Sequence, residues 1–174
     1  AAGNISDNDR VSAWRAAGST SIDAVQTLSG GDKPRWNDAE TEVKFSNNAK
    51  HMKLDSEITI AANTDFTVVI RFKTLNMSGA RALMGDSTNE FLQVQDSDTI
   101  RLKTNGTQTN FDGGTMATDK YQTLILVRSD GSTGNINLFM RGTDSGYFDG
   151  TATGTSFGDE AQDTEEIIFE FIGA

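Results

Sequence analysis

The chain has 174 residues, no cysteine, one histidine, one proline and a formal net charge of −10. That length lets one domain bury a core without staples, and the missing thiols exclude disulfides and thiolate metal sites. The acidic field disfavours nucleic acid as a partner, and no apolar run approaches the roughly 20 residues of a membrane-crossing helix. The charge is uneven. Residues 1–128 carry 14 Lys and Arg against 16 Asp and Glu, whereas residues 129–174 carry Arg141 alone against nine acids. Surface acids of this kind keep an abundant protein soluble, and a specific basic partner is the alternative reading.

Taken in chain order, short alternating segments recur between clusters of Gly, Asn, Asp, Ser and Thr, and helical periodicity is scarce. Strands are predicted over 11–15, 42–45, 52–54, 66–72, 81–84, 91–95, 99–103, 122–128, 136–140 and 166–172. In FTVVIRF (66–72), Phe66, Val68, Ile70 and Phe72 share one face while Thr67, Val69 and Arg71 share the other, the signature of a half-buried sheet. QDSD (95–98) and TNGTQ (104–108) read as hairpin turns on either side of TIRLK. TLILVRSDGSTGNINLFMRGTDSG (123–146) reads as two strands hinged on a glycine-rich turn: Ile125 and Val127 point one way and Leu124 and Leu126 the other, and Ile136, Leu138 and Met140 share a face. Lys and Arg along the strands (Arg71, Lys73, Arg101, Lys103) would guard exposed edges. Residues 143–165 form the longest irregular stretch, either a functional loop or a crossover pinned by Tyr147, Phe148 and Phe157.

About ten short strands with this turn chemistry imply an all-β antiparallel sandwich, a single domain over 1–174. The order of segments adds to this. VSAWRAAGS with Trp14 is followed by KPRW with Pro34 and Trp36, and by EVKFSNNAKHMKL with Phe45 and Leu54. Then come DFTVVIRF, ALMGDSTNEFLQV, the 123–146 hairpin and EEIIFEFIG. Over nearly its whole length this order resembles the laminin-G-like, concanavalin A-like lectin/glucanase superfamily, in the versions found in phage virion proteins. The resemblance implies a jelly-roll sandwich. Three departures stand out: Arg141-Gly142 replaces the family's Asn-Gly, the glycine after Phe45 is Ser46, and the apolar strand that often precedes the Trp-Arg segment is absent from this sequence. A neighbouring chain or an upstream region is expected to supply that strand.

Glycosidases of that superfamily carry Glu-x-Asp-x-x-Glu on one strand, because carboxylates on alternate positions must flank one bond. No glutamate here has that spacing; Glu40/Glu42 and Glu165/Glu166 come nearest. His51 is the sole imidazole, without a Gly-x-Ser-x-Gly partner, and reads as a ring filling an aromatic position before a strand. The chain is therefore expected to be non-enzymatic. Some laminin-G-like domains bind calcium at a rim, so calcium is the one cofactor to consider, with Asp86 and Asp144 as candidate ligands; Asp96 and Asp98 offer further loop oxygens, and all four also read as turn formers. Trp14 alternates with Val11 and is expected in the core, whereas Trp36 is a candidate exposed platform for a sugar ring. Asn105 and Asn110 suit a polar glycan rim or plain hairpin turns. Arg141, at the family's Asn position, and Tyr147 complete the candidate ligand contacts.

Two functions follow as expectations. The first is a structural protein of a phage particle, a capsid decoration (cement) or appendage protein on the virion surface, acting by packing on capsid or other virion proteins and by homo-oligomerisation. The second is a lectin-like module that recognises a cell-surface or matrix glycan through rim loops. Neither nucleic acid nor a membrane is expected as a partner.

Overall fold

The protein is described here from a computed structural model. It describes residues 10–11, 13–14, 22–26, 34–37, 39, 42–45, 51–87, 89–112, 116–129, 134–142, 155–162 and 164–173, with the backbone alone at 36, 42, 141–142 and 155–162. Among these residues there is no helix, and the strands in chain order are β1 (Ala13–Trp14), β2 (Ala24–Val25), β3 (Arg35–Asn37), β4 (Glu42–Lys44), β5 (Met52–Ile60), β6 (Phe66–Lys73), β7 (Arg81–Gly85), β8 (Phe91–Val94), β9 (Thr99–Thr104), β10 (Thr107–Asp112), β11 (Tyr121–Arg128), β12 (Asn135–Gly142), β13 (Thr155–Gln162) and β14 (Ile167–Ile172). They form an eight-stranded sheet in the order β1-β2-β5-β14-β7-β8-β9-β10, a four-stranded sheet β13-β12-β11-β6, and the β3-β4 pair. The all-β, antiparallel expectation holds.

The four-stranded sheet follows directly from alternation. Register sets Leu124 opposite Met140 and Ile70, and Leu126 opposite Leu138 and Val68. These side chains share one face and meet Leu92, Val94, Ile100, Leu102, Phe111, Ile167 and Phe169 of the large sheet in one buried cluster. Two sheets thus close on a common core, in sandwich fashion, and each buried Leu or Phe contributes about 1.5–3 kcal/mol. At the Asn105-Gly106 turn both residues take positive φ, 41° and 85°, as a two-residue hairpin requires. The Asp96 carboxylate accepts from the backbone N–H of Asp98 at 3.2 Å and of Thr99 at 2.9 Å, closing the β8–β9 turn.

The differences from expectation are local. β10 is a strand where TNGTQ suggested only a turn, because once the Asn-Gly hairpin forms, TQTNFD pairs with β9 throughout despite having just Phe111 to bury. β13 lies inside the 143–165 stretch, paired with β12 through two register shifts. Trp14 is 50% exposed rather than core. It belongs to β1, the outermost strand of a sheet twice as wide as the one it faces, and the far end of that sheet has its own small cluster of Ala24, Met52 and Leu54, packed with Val11, Ile22, Phe45 and Ile172. Tyr147, Phe148 and Asp144 lie outside the described residues, and Phe157 is described in its backbone alone.

Candidate functional site

The outer face of the large sheet carries a row that runs across five strands. Register places Lys53 (β5) opposite Phe171 (β14), Phe171 opposite Gly85 (β7), Gly85 opposite Phe91 (β8), and Phe91 opposite Lys103 (β9). Alternation along β14 would send Phe169 and Phe171 to the same side. A bulge between them instead leaves Phe169 in the core and turns Phe171 outward, while Ile172 joins the inner cluster with Met52. Each ring is backed by a cation: Lys53 Nζ lies 5.7 Å from the Phe171 centroid and Lys103 Nζ 5.7 Å from that of Phe91. Lys53 also meets Glu170 Oε2 at 3.2 Å.

Between the rings, above Gly85, lies a slot of about 350 Å³. His51, Asp86, Ser87 and Gln93 line it along with Phe91 and Phe171. Glycine is required at its floor, since a Cβ there would stand 2.9 Å from the Glu90 carbonyl oxygen and 3.2 Å from Phe91 Cβ. The His51 ring meets Phe171 edge-on, centroids 4.6 Å apart at 83°. The imidazole is thus an aromatic neighbour, as its sequence context suggested. Gln93, part of this lining, donates through Nε2 to Gln95 Oε1 at 2.9 Å, and Arg101 Nε donates to Asn110 Oδ1 at 3.0 Å. Burial, with the nearby charges of Asp86 and Glu166, pushes the Glu90 carboxyl up, against the opposing hydrogen bonds from the Asn105 and Ile168 backbone.

The opposite face of the molecule differs in character. On the outer side of the four-stranded sheet, Val69 (β6), Ile125 (β11) and Phe139 (β12) stand directly opposite one another, and Val69 is 60% exposed at the sheet's edge strand. One row over, Arg71 lies 4.2 Å from the Tyr121 centroid and Lys73 5.0 Å from it, with Lys73 also 3.6 Å from Asp119. Arg71 is thus the exposed cation beside this apolar row, while Lys73 is largely buried against Tyr121 and Asp119.

The candidate residues from the sequence are dispersed. Trp36 is central in β3, opposite Val43; Asn105 is in the β9–β10 turn; Asn110 is in β10, bound to Arg101; Arg141 is in β12, opposite Thr123. Among the candidates with described side chains, Asp86 is the one that lines the slot, and among the described residues no three His, Asp or Glu side chains gather as a metal site. The Asp98 side chain, hydrogen-bonded to Asp96, holds the Asp96 carboxyl below its ordinary range, and the same contact pushes Asp98 up. Both aspartates are thereby occupied with the turn. Phe91, Phe171 and Gly85 went unnoticed in the sequence, because an aromatic in an alternating strand reads as core until the partner register is known. Comparison of the chain with family models, with curated proteins and with solved structures finds no match.

Proposed function

We propose that the protein is a non-enzymatic structural protein of a phage particle, a capsid decoration or appendage protein that works by packing against other copies of itself and neighbouring virion proteins at the virion surface. The observation that carries this reading is the Val69–Ile125–Phe139 row on the outside of the four-stranded sheet, ending at the exposed edge of β6. Apolar side chains in line across three strands gain by being covered, and an edge strand offers unpaired backbone groups to a neighbouring strand. Charge favours a second copy as one of the neighbours. Exposed Arg71 stands beside the row on a chain of net charge −10, so the acidic surface of another copy complements this face.

The motif order resembling laminin-G-like virion domains supports the same reading, and the eight-over-four antiparallel arrangement suits a concanavalin A-like jelly roll. Light scattering on the purified chain tests it. Concentration-dependent oligomers that revert to monomer in Val69→Asp are expected; a monomer at every concentration contradicts the proposal.

A further inference from the structure

The slot on the outer face of the large sheet is one half of a matched pair, and the other half is on the same chain. We propose that the Phe171–Gly85–Phe91 slot receives the Trp14 indole of a second copy, a knob-in-slot contact that joins copies head to tail.

A copy cannot fill its own slot. Trp14 stands opposite Ala24, and Ala24 opposite Leu54, two residues buried in the inner cluster, so its row belongs to the inner face of the sheet. The slot opens on the outer face. Its Gly85 floor is on β7, four strands from β1 in the sheet order, or about 19 Å at roughly 4.8 Å per strand. The indole is nonetheless half exposed at the sheet's outermost strand. Among the described residues, the other large apolar side chains so exposed are Val69 and Leu75, and neither has a flat face.

The slot suits an indole in three respects. Phe171 and Phe91 are separated by one strand, so their backbones stand about 10 Å apart. At roughly 3.5–4 Å per contact, one planar ring between two walls needs about 7–8 Å and a stacked pair about 10.5–12 Å, so the gap takes a single layer. Lys53 and Lys103 each draw on the π density of one of the two phenyl rings, which favours the most electron-rich aromatic side chain as that layer. Asp86 lines the slot and offers a carboxylate to the indole N–H, which needs an acceptor once covered.

Charge points to the same partner. The segment RVSAWR (10–15) carries Arg10 and Arg15 and no acid, and Arg10 is exposed. The β7–β8 turn at one end of the slot carries Asp86 and Glu90. A basic segment lying along that turn meets opposite charge, on a chain whose net −10 otherwise repels its own copies.

The contact is small. A buried indole covers about 150–250 Å², far below the roughly 1,000 Å² of a stable interface. It therefore acts between copies already held side by side, where effective concentrations reach the millimolar range. That step rests on the packing reading above; the fit of knob to slot does not. Knob and slot are different surfaces, so the contact is heterologous and repeats from copy to copy as a ring or a row.

The test isolates the fit. The full-length Val69→Asp chain, which lacks the other packing face, is titrated with acetyl-RVSAWR-amide in two-dimensional NMR. Saturable amide shifts confined to 84–87, 91–93 and 171–173 are expected, with a dissociation constant on the order of millimolar. A peptide with Trp14→Leu, apolar but without the flat face or the N–H, is expected to bind at least about tenfold more weakly, and one with Trp14→Ala to give no saturable shifts. Phe91→Leu in the chain, with spectra otherwise native, is expected to weaken the unaltered peptide at least about threefold. Absence of saturable shifts with the unaltered peptide, shifts lying elsewhere, or equal binding of the Trp14→Leu peptide would overturn the proposal, whereas the packing reading stands or falls on light scattering of the whole chain.

Discussion

The Arg128 side chain, at the end of β11, donates through Nε to the carbonyl oxygen of Thr64 at 2.7 Å, across 64 residues of sequence. The guanidinium is fully buried and also donates to the Ala61 carbonyl at 3.0 Å and the Glu165 carbonyl at 2.9 Å, while its Cζ lies 5.0 Å from the Phe66 ring centroid. One side chain of the four-stranded sheet thereby ties the β5–β6 connection, where the chain passes from the large sheet to the small one, to the segment that leads into β14. Arg128→Met keeps the stem and removes the donors, and is expected to lower unfolding free energy by about 2–4 kcal/mol. Arg128→Lys, with a single donor point and no planar fork, is expected to recover less than half of that. Urea denaturation of the three proteins measures both differences.

Gly173, just after β14, lies against the ring of Phe45, the residue that follows β4. Its φ is +72°, and a Cβ there would lie 2.5 Å from the Phe45 ring. Gly173→Ala is therefore expected to cost about 1–3 kcal/mol through backbone strain and overpacking together. Hydrogen exchange locates the damage: amides of 43–45 and the Gly173 N–H, which donates to the Leu83 carbonyl at 2.9 Å, are expected to lose protection while those of β11 keep it.

The raised Glu90 pKa makes stability pH-dependent in a definite direction. The folded state holds this proton more tightly than the unfolded chain does, so the contribution of Glu90 becomes less favourable as pH rises from the usual glutamate value of 4.5 through the raised folded value. Glu90→Gln keeps an acceptor for the Asn105 N–H and removes the charge. It is expected to raise stability at neutral pH by roughly 0.5 kcal/mol, an effect of surface size, and to make no difference below the ordinary carboxylate range. Thermal melts at neutral and acid pH decide it; destabilisation at neutral pH would contradict the assignment.

Val69→Asp separates association from folding. The side chain points outward from an edge strand, so the change is expected to cost under about 1 kcal/mol in the monomer while weakening self-association at least about tenfold. Light scattering beside a denaturation curve gives both numbers on one sample.

The fold was legible wherever alternation is strict. Segments 66–72, 122–128 and 136–140 alternate cleanly, and their burial follows the pattern residue by residue, or nearly so. It was less legible where pairing, not composition, makes the strand: β10 has one residue to bury, and β13 hides among Gly and Thr. Arg128 continues the buried even-numbered face of Leu124 and Leu126, a signal open to view, yet a charged residue there reads as the strand's wet end. Phe171 was illegible in principle. Only the bulge after Phe169 reverses its direction, and the bulge is a property of the partner strands' register.

The central claim is that this chain acts by being packed through the outer face of its four-stranded sheet. Electron microscopy of the source sample, at a resolution that shows side chains, tests it most directly. Ordered copies on the particle surface, with Val69, Ile125 and Phe139 buried against a neighbour, are the expected result; copies absent from the particle, or present with that row facing solvent, would contradict it.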